Sequence, residues 1–184
     1  MTRSAYLGTA LILVACGTAK TRDATAPLSP AAQKVEVVKE AKSTCKKLGT
    51  AKARGKDADE QFEILRWLFW DNHKLTGYMA TYRFNRAFTA APDPAVLAFL
   101  RRRLDDFLGI LDGHLQDRPF VIGDQPTIAD ISLMAYLSFP ENETGYDLAV
   151  SHPAVRAWLS RLATLAGWQA PYDLLPGKRL HCYA

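Results

Sequence analysis

The stretch Gly123-Asp124-Gln125-Pro126-Thr127-Ile128-Ala129-Asp130 constrains the fold more than any other part of the chain, because it joins a turn, a helix start and a capping box. Thr127 at the N-cap can accept the backbone N–H of Asp130, and the Asp130 carboxylate can reach back to the N–H of Thr127. Two donors that a helix start leaves without partners are then satisfied reciprocally. The box uses Asp where Glu is commoner, and by capping physics alone it opens an ordinary helix. Thr127 and Asp130 are therefore read as folding residues, whose loss costs about 1 kcal/mol or somewhat more.

Composition matters next for what it excludes. At 184 residues, with 48% apolar and 10% aromatic side chains, the chain is long enough for a packed core of one domain or one and a half. Its formal charge of +4 is unevenly placed: residues 1–60 carry 11 Lys/Arg against 6 Asp/Glu, and the remainder 12 against 13. The basic residues from Lys34 to Lys56 are scattered, with Lys46-Lys47 the one adjacent pair, and have no interleaved aromatics, so they read as a solvated face and not as a nucleic-acid stripe. No apolar run approaches the roughly 18 residues of a spanning helix.

The first residues carry a separate signal. Arg3, the apolar run 5–15 and the small residues of Leu13-Val14-Ala15-Cys16 resemble the lipobox of bacterial lipoproteins, with Cys16 as the lipidated residue. That resemblance implies a signal over 1–16, a lipid anchor holding the chain to a membrane, and, because Gly17 follows the cysteine, the outer membrane or periplasm. A disordered leader in a cytoplasmic protein is the competing reading. Residues 18–30, rich in Thr, Ala, Pro and Ser, form a tether. Val35-Glu36-Val37-Val38 and residues 45–53 are two short β-prone runs, too little to be stable unaided. With Leu28-Ser29-Pro30-Ala31-Ala32-Gln33-Lys34-Val35 and Cys45-Lys46-Lys47-Leu48-Gly49, this segment is similar to the opening of a small bacterial lipoprotein domain. The polar run 54–59 reads as a hinge, dividing the chain into 1–16, 17–60 and 61–184. Cys45 and Cys182 could be bridged in an oxidising compartment if their Cα atoms lie within about 7 Å, and a pair of free thiols is the alternative.

From Gln61 the apolar period becomes helical. Phe62, Leu65, Leu68 and Phe69 fall on one face and Ile64, Trp67, Trp70 and Asp71 on the next, a width that implies two packing partners. This helix is expected to run to about Phe88 with a bend at Gly77. Asp93-Pro94 opens a second helix through Leu115, with Leu97, Leu100, Leu104, Phe107, Leu108 and Leu111 inward and Arg101, Arg102 and Arg103 on its wet side. A third starts at Thr127, and a fourth runs from Pro153 to about Leu165, stopped by Gly167. The pattern predicts an all-α bundle with a tail over residues 169–176.

Phe120-Val121-Ile122-Gly123-Asp124 before the box and Ile131-Ser132-Leu133-Met134-Ala135-Tyr136 after it resemble the C-terminal helical domain of glutathione transferases, in which a buried helix begins with this box. The resemblance covers residues 62–178. It implies a wall of the hydrophobic co-substrate pocket, with Trp70, His73, Lys74 and Thr76 from the first helix and Tyr172 from the tail as candidate lining residues. As residues alone, Trp67 and Trp70 read first as core or interface aromatics, and His73 as an exposed helical histidine. Dimerisation through the first two helices is what the family suggests.

The family's thiol site lies mostly on a thioredoxin-like domain. No strand-helix-strand start with a nucleophilic Ser, Tyr or Cys and no Glu-Ser pair for the γ-glutamyl group is visible before residue 61. Lowering a thiol pKa from roughly 8.5 needs a donor or dipole aimed at the sulfur. The expectation is therefore no catalytic residue and no cofactor, with glutathione a co-substrate only where that site is supplied. His73, His114, His152 and His181 are scattered without Cys or Glu at ligand spacing, so no metal is expected. Two functions stay open: a transferase-type domain receiving glutathione and a hydrophobic electrophile, alone, as a homodimer or with a thioredoxin-like partner; and a lipid-anchored helical binding module using an exposed Trp67/Trp70 face.

Overall fold

A computed structural model describes residues 52–175 and 179–183. Cys16, the tether, Cys45 and the β-prone run 35–38 lie outside the described residues. All regular elements that are described are helical: a 3₁₀ turn Lys52–Arg54, α1 (Ala58–Trp70), a π-helical turn Asp71–Leu75, α2 (Thr76–Phe88), α3 (Pro94–Leu115), α4 (Ile128–Leu137), α5 (Glu141–Thr144), α6 (Leu148–Ser151), α7 (Pro153–Leu162) and α8 (Pro171–Leu174). None of the described helices is long and apolar enough to cross a membrane.

The run 54–59 contains a capped helix start. Asp57 is the N-cap, its Oδ1 accepting the Glu60 N–H at 2.9 Å, while Glu60 Oε2 accepts the Lys56 N–H at 2.9 Å. Gly55 turns the chain at φ +88°, where a Cβ would sit 3.0 Å from the Gln61 nitrogen. α1 buries Ile64 and Trp67 and packs on α4. The discontinuity before α2 falls at Asp71–Leu75, ahead of Gly77, because an extra residue is absorbed there: the Thr76 N–H reaches the Asp71 carbonyl five residues back.

α3 starts as Asp93-Pro94 dictates, with Asp93 Oδ1 accepting the Ala95 N–H at 2.8 Å. It buries Leu100, Leu104, Phe107, Leu108, Leu111 and Leu115, packing against α2 on one side and α7 on the other. Its arginines are not all on a wet side. Arg101 lies 3.8 Å over the Tyr146 ring and donates to the Gly145 carbonyl at 2.8 Å, and Arg103 lies 5.1 Å from the Phe107 centroid. Only Arg102 is left exposed, because the other two lay their stems and guanidinium planes on aromatic faces.

α4 occupies the centre. Both halves of the Thr127–Asp130 capping box are formed, and Asp130 is wholly buried. Its carboxylate takes more than the box asks: Oδ2 accepts the Thr127 N–H (2.8 Å) and hydroxyl (3.0 Å), and Oδ1 accepts the Val121 N–H and the Trp158 indole N–H (both 2.9 Å). One side chain thereby ties the 118–127 loop, the start of α4 and α7 together. α7 ends at Leu162, short of Leu165, and its first turn is capped across the bundle by Asp112 Oδ1 accepting the Val155 N–H at 3.0 Å.

Candidate functional site

Two groups of polar and aromatic side chains stand out. The first is centred on Phe107 of α3. Trp70, the last residue of α1, meets its ring edge-on at 6.1 Å, and Tyr78 of α2 does so at 5.4 Å. Tyr78 also leans on Phe99 at 6.3 Å, and Trp70 on the buried Trp67 at 5.3 Å. Two cations lie over Phe107: the Lys74 ammonium at 5.7 Å and the Arg103 guanidinium at 5.1 Å. Trp70, Lys74, Tyr78 and Arg103 are half-buried and Phe99 is exposed, so the group presents an aromatic face studded with positive charge. Such a face suits a planar apolar group that is electron-poor or carries negative charge.

Behind it lies the π turn. Asp71 is buried, and its carboxylate accepts the Thr76 hydroxyl at 2.7 Å through Oδ1 and the Ser132 hydroxyl of α4 through Oδ2. Burial raises its pKa above the usual carboxylate range, and the two hydroxyl donors offset only part of that.

The second group surrounds Tyr172. Arg83 of α2 donates through Nε (2.8 Å) and Nη2 to Glu143 Oε2 and through Nη2 to the Tyr172 hydroxyl (2.9 Å), which itself donates to Glu143 Oε1 at 2.7 Å. The Arg83 guanidinium lies 3.6 Å over Phe139, and Arg179 lies 3.8 Å over the Tyr172 ring. Burial, then donation to Glu143, holds the Tyr172 phenol above its ordinary pKa. The Tyr183 N–H reaches the Ala87 carbonyl at 2.8 Å, so the chain end returns along α2.

Of the residues singled out in the sequence, Trp70 and Lys74 share Phe107. Thr76 turns its hydroxyl to Asp71, His73 is exposed on the π turn, and Tyr172 is held in the Arg83–Glu143 group. Trp67 is buried at 3% exposure, so a Trp67/Trp70 surface does not exist; the exposed apolar residues of α1 are Phe62, Leu65 and Phe69. Sequence reasoning missed Tyr78, Phe99, Arg103 and Phe107 as companions of Trp70. It also missed Asp71 as a buried anchor, for which the available signal was an acidic residue placed within an apolar stripe. Cys182 accepts from the Asn142 amide at 3.7 Å, and its relation to Cys45 lies outside the described residues.

Helix order, the buried box at the start of α4 and the short tail helix define an all-α domain of the kind found in glutathione transferases. Residues 94–161 match the family "Glutathione S-transferase, C-terminal domain", and the described helices have that domain's all-α fold. A glutathione S-transferase of Aspergillus fumigatus, psoE, is 27% identical over 77 residues, which are 42% of this chain and 32% of that protein. The crystal structure of a glutathione S-transferase from Xanthobacter autotrophicus Py2 is 31% identical, with a TM-score of 0.56 over 65% of this chain and 60% of that one. Ure2p5 from Phanerochaete chrysosporium, cocrystallised with 1-(S-glutathionyl)-2,4-dinitrobenzene, shares the fold at 22% identity, with a TM-score of 0.53 over 59% of this chain and 52% of that one. The match thus spans about a third of the first relative and three fifths of the second.

Proposed function

We propose that this domain holds the hydrophobic part of an electrophilic co-substrate in a glutathione transferase-type reaction, while a thioredoxin-like domain or partner binds and activates the thiol. The observation that carries the reading is the half-buried aromatic face of Trp70, Tyr78 and Phe107 with Lys74 and Arg103 upon it. An aromatic electrophile gains charge as a thiolate adds, and fixed cations beside an apolar wall stabilise that charge more than water would. The conjugate bound by Ure2p5 has this composition, a planar nitroaromatic joined to glutathione. Within this reading no side chain of the domain is a nucleophile, and glutathione enters as a co-substrate. Calorimetric titration of the full chain with 1-(S-glutathionyl)-2,4-dinitrobenzene and, separately, with reduced glutathione tests it. The conjugate is expected to bind at least about tenfold more tightly, with no thiol conjugation until a thioredoxin-like partner is added. No heat from the conjugate would sink the reading, and turnover by the chain alone would show that it carries its own thiol site.

A second reading, a helical binding module lipid-anchored through Cys16 in the outer membrane or periplasm, is favoured by one feature. Phe62, Leu65 and Phe69 are 68%, 51% and 73% exposed on the outward side of α1. Membrane fractionation of the full chain against Cys16→Ser decides it; equal distribution of the two would remove the anchor.

A further inference from the structure

The turn that joins α1 to α2 does more than connect them. On an uninterrupted α-helix, Trp70 and Tyr78 would point about 80° apart, since each residue advances about 100°. Absorbing one residue in a wider turn takes back about 100°, leaving them roughly 20° apart, on one line. That line is what the structure shows: both rings meet Phe107, and Lys74 lies over the same ring between them in sequence.

A π turn weakens the backbone ladder and persists where something else holds it. Here Asp71 does so through bonds that leave the aromatic face untouched. Its carboxylate is tied within the turn to Thr76 and across to Ser132 of α4, while Gly77 leaves room for the displaced Asn72 carbonyl, which lies 3.2 Å from where a Cβ would be. We propose that Asp71 is a positioning residue for the aromatic face: by pinning the π turn to α4 it lines Trp70, Lys74 and Tyr78 along Phe107 for a planar aromatic ligand. The carboxylate bonds to Thr76 and Ser132 and not to that face, so it acts through the register of the helix. The ligand half of this inference rests on the co-substrate reading above.

The test compares the full chain with Asp71→Ala, Asp71→Asn and Ser132→Ala. One measurement is affinity for 1-(S-glutathionyl)-2,4-dinitrobenzene by calorimetry; the other is the near-ultraviolet circular dichroism of the ligand-free proteins, which reads aromatic packing directly. Asp71→Ala is expected to weaken binding about tenfold and to change the aromatic spectrum while far-ultraviolet helicity is kept. Asp71→Asn keeps one acceptor oxygen for one hydroxyl and can donate its amide N–H to the oxygen of the other, so it is expected to restore both to near the parent values. If Asp71→Ala does not fold, Ser132→Ala, which removes only the tie to α4, is expected to shift both readouts in the same direction by a smaller amount. A folded variant with parental spectrum and affinity overturns the proposal. Should the parent bind no conjugate, the ligand half fails with the co-substrate reading, and the spectra alone decide whether Asp71 sets the aromatic register.

Discussion

Asp130 shows how one carboxylate can be worth more than its motif. A helix cap contributes about 1 kcal/mol, but Asp130 also receives the Val121 N–H and the Trp158 indole N–H in a wholly buried place. Asp130→Ala strands those donors, each costing about 1–3 kcal/mol, so the urea unfolding free energy is expected to drop by about 4 kcal/mol. A loss near 1 kcal/mol would mean that only the cap matters. Asp71 is the converse case, a buried carboxylate facing hydroxyls and no cation. Because its folded pKa is raised, the native state binds the extra proton, and the stability this group contributes is full below the ordinary carboxylate pKa and falls as pH rises through the raised value. The urea midpoint of Asp71→Asn, which cannot titrate, is therefore expected to gain on the parent as pH rises above the ordinary carboxylate pKa of about 4. A difference of the opposite slope would contradict the assignment.

At the scale of elements, short helices are held by side chains distant in sequence. α5 and α8 have four residues each and no side-chain cap of their own, and segments that short are not stable by propensity. The Arg83–Glu143–Tyr172 group supplies what they lack, with Arg83 and Glu143 side chains only 13% and 5% exposed. Glu143→Ala would leave Arg83 buried without a counter-charge and is expected to cost about 3 kcal/mol, where Tyr172→Phe, which spares the ion pair, costs about 1 kcal/mol. Equal losses in thermal unfolding would show that the tail, and not the pair, carries the stability. Gly145 closes α5 in the left-handed region at φ +69°, a conformation that a residue without a Cβ adopts without strain.

For the whole molecule, the asymmetry of α1 is the main consequence. Its inner side, with Ile64 and Trp67, is buried, while Phe62, Leu65 and Phe69 face outward. Replacing Phe62 and Phe69 by Lys should change stability by no more than about 0.5 kcal/mol per site. Under the proposed co-substrate reading, an added thioredoxin-like domain is expected to sediment with the parent and not with this variant; equal behaviour of the two would place that contact elsewhere. The all-α class, the starts of α3 and α4 and the cap residues were legible in the sequence, because caps and apolar periodicity are interactions between near neighbours in the chain. Arg101 and Arg103 were misread as solvated, because periodicity assigns a face to a residue and says nothing of an aromatic ring waiting there. The π turn, the four donors converging on Asp130 and the Phe107 group were settled only by tertiary structure. Each depends on groups from separate helices meeting in one place, and no spacing along a single chain segment records such a meeting.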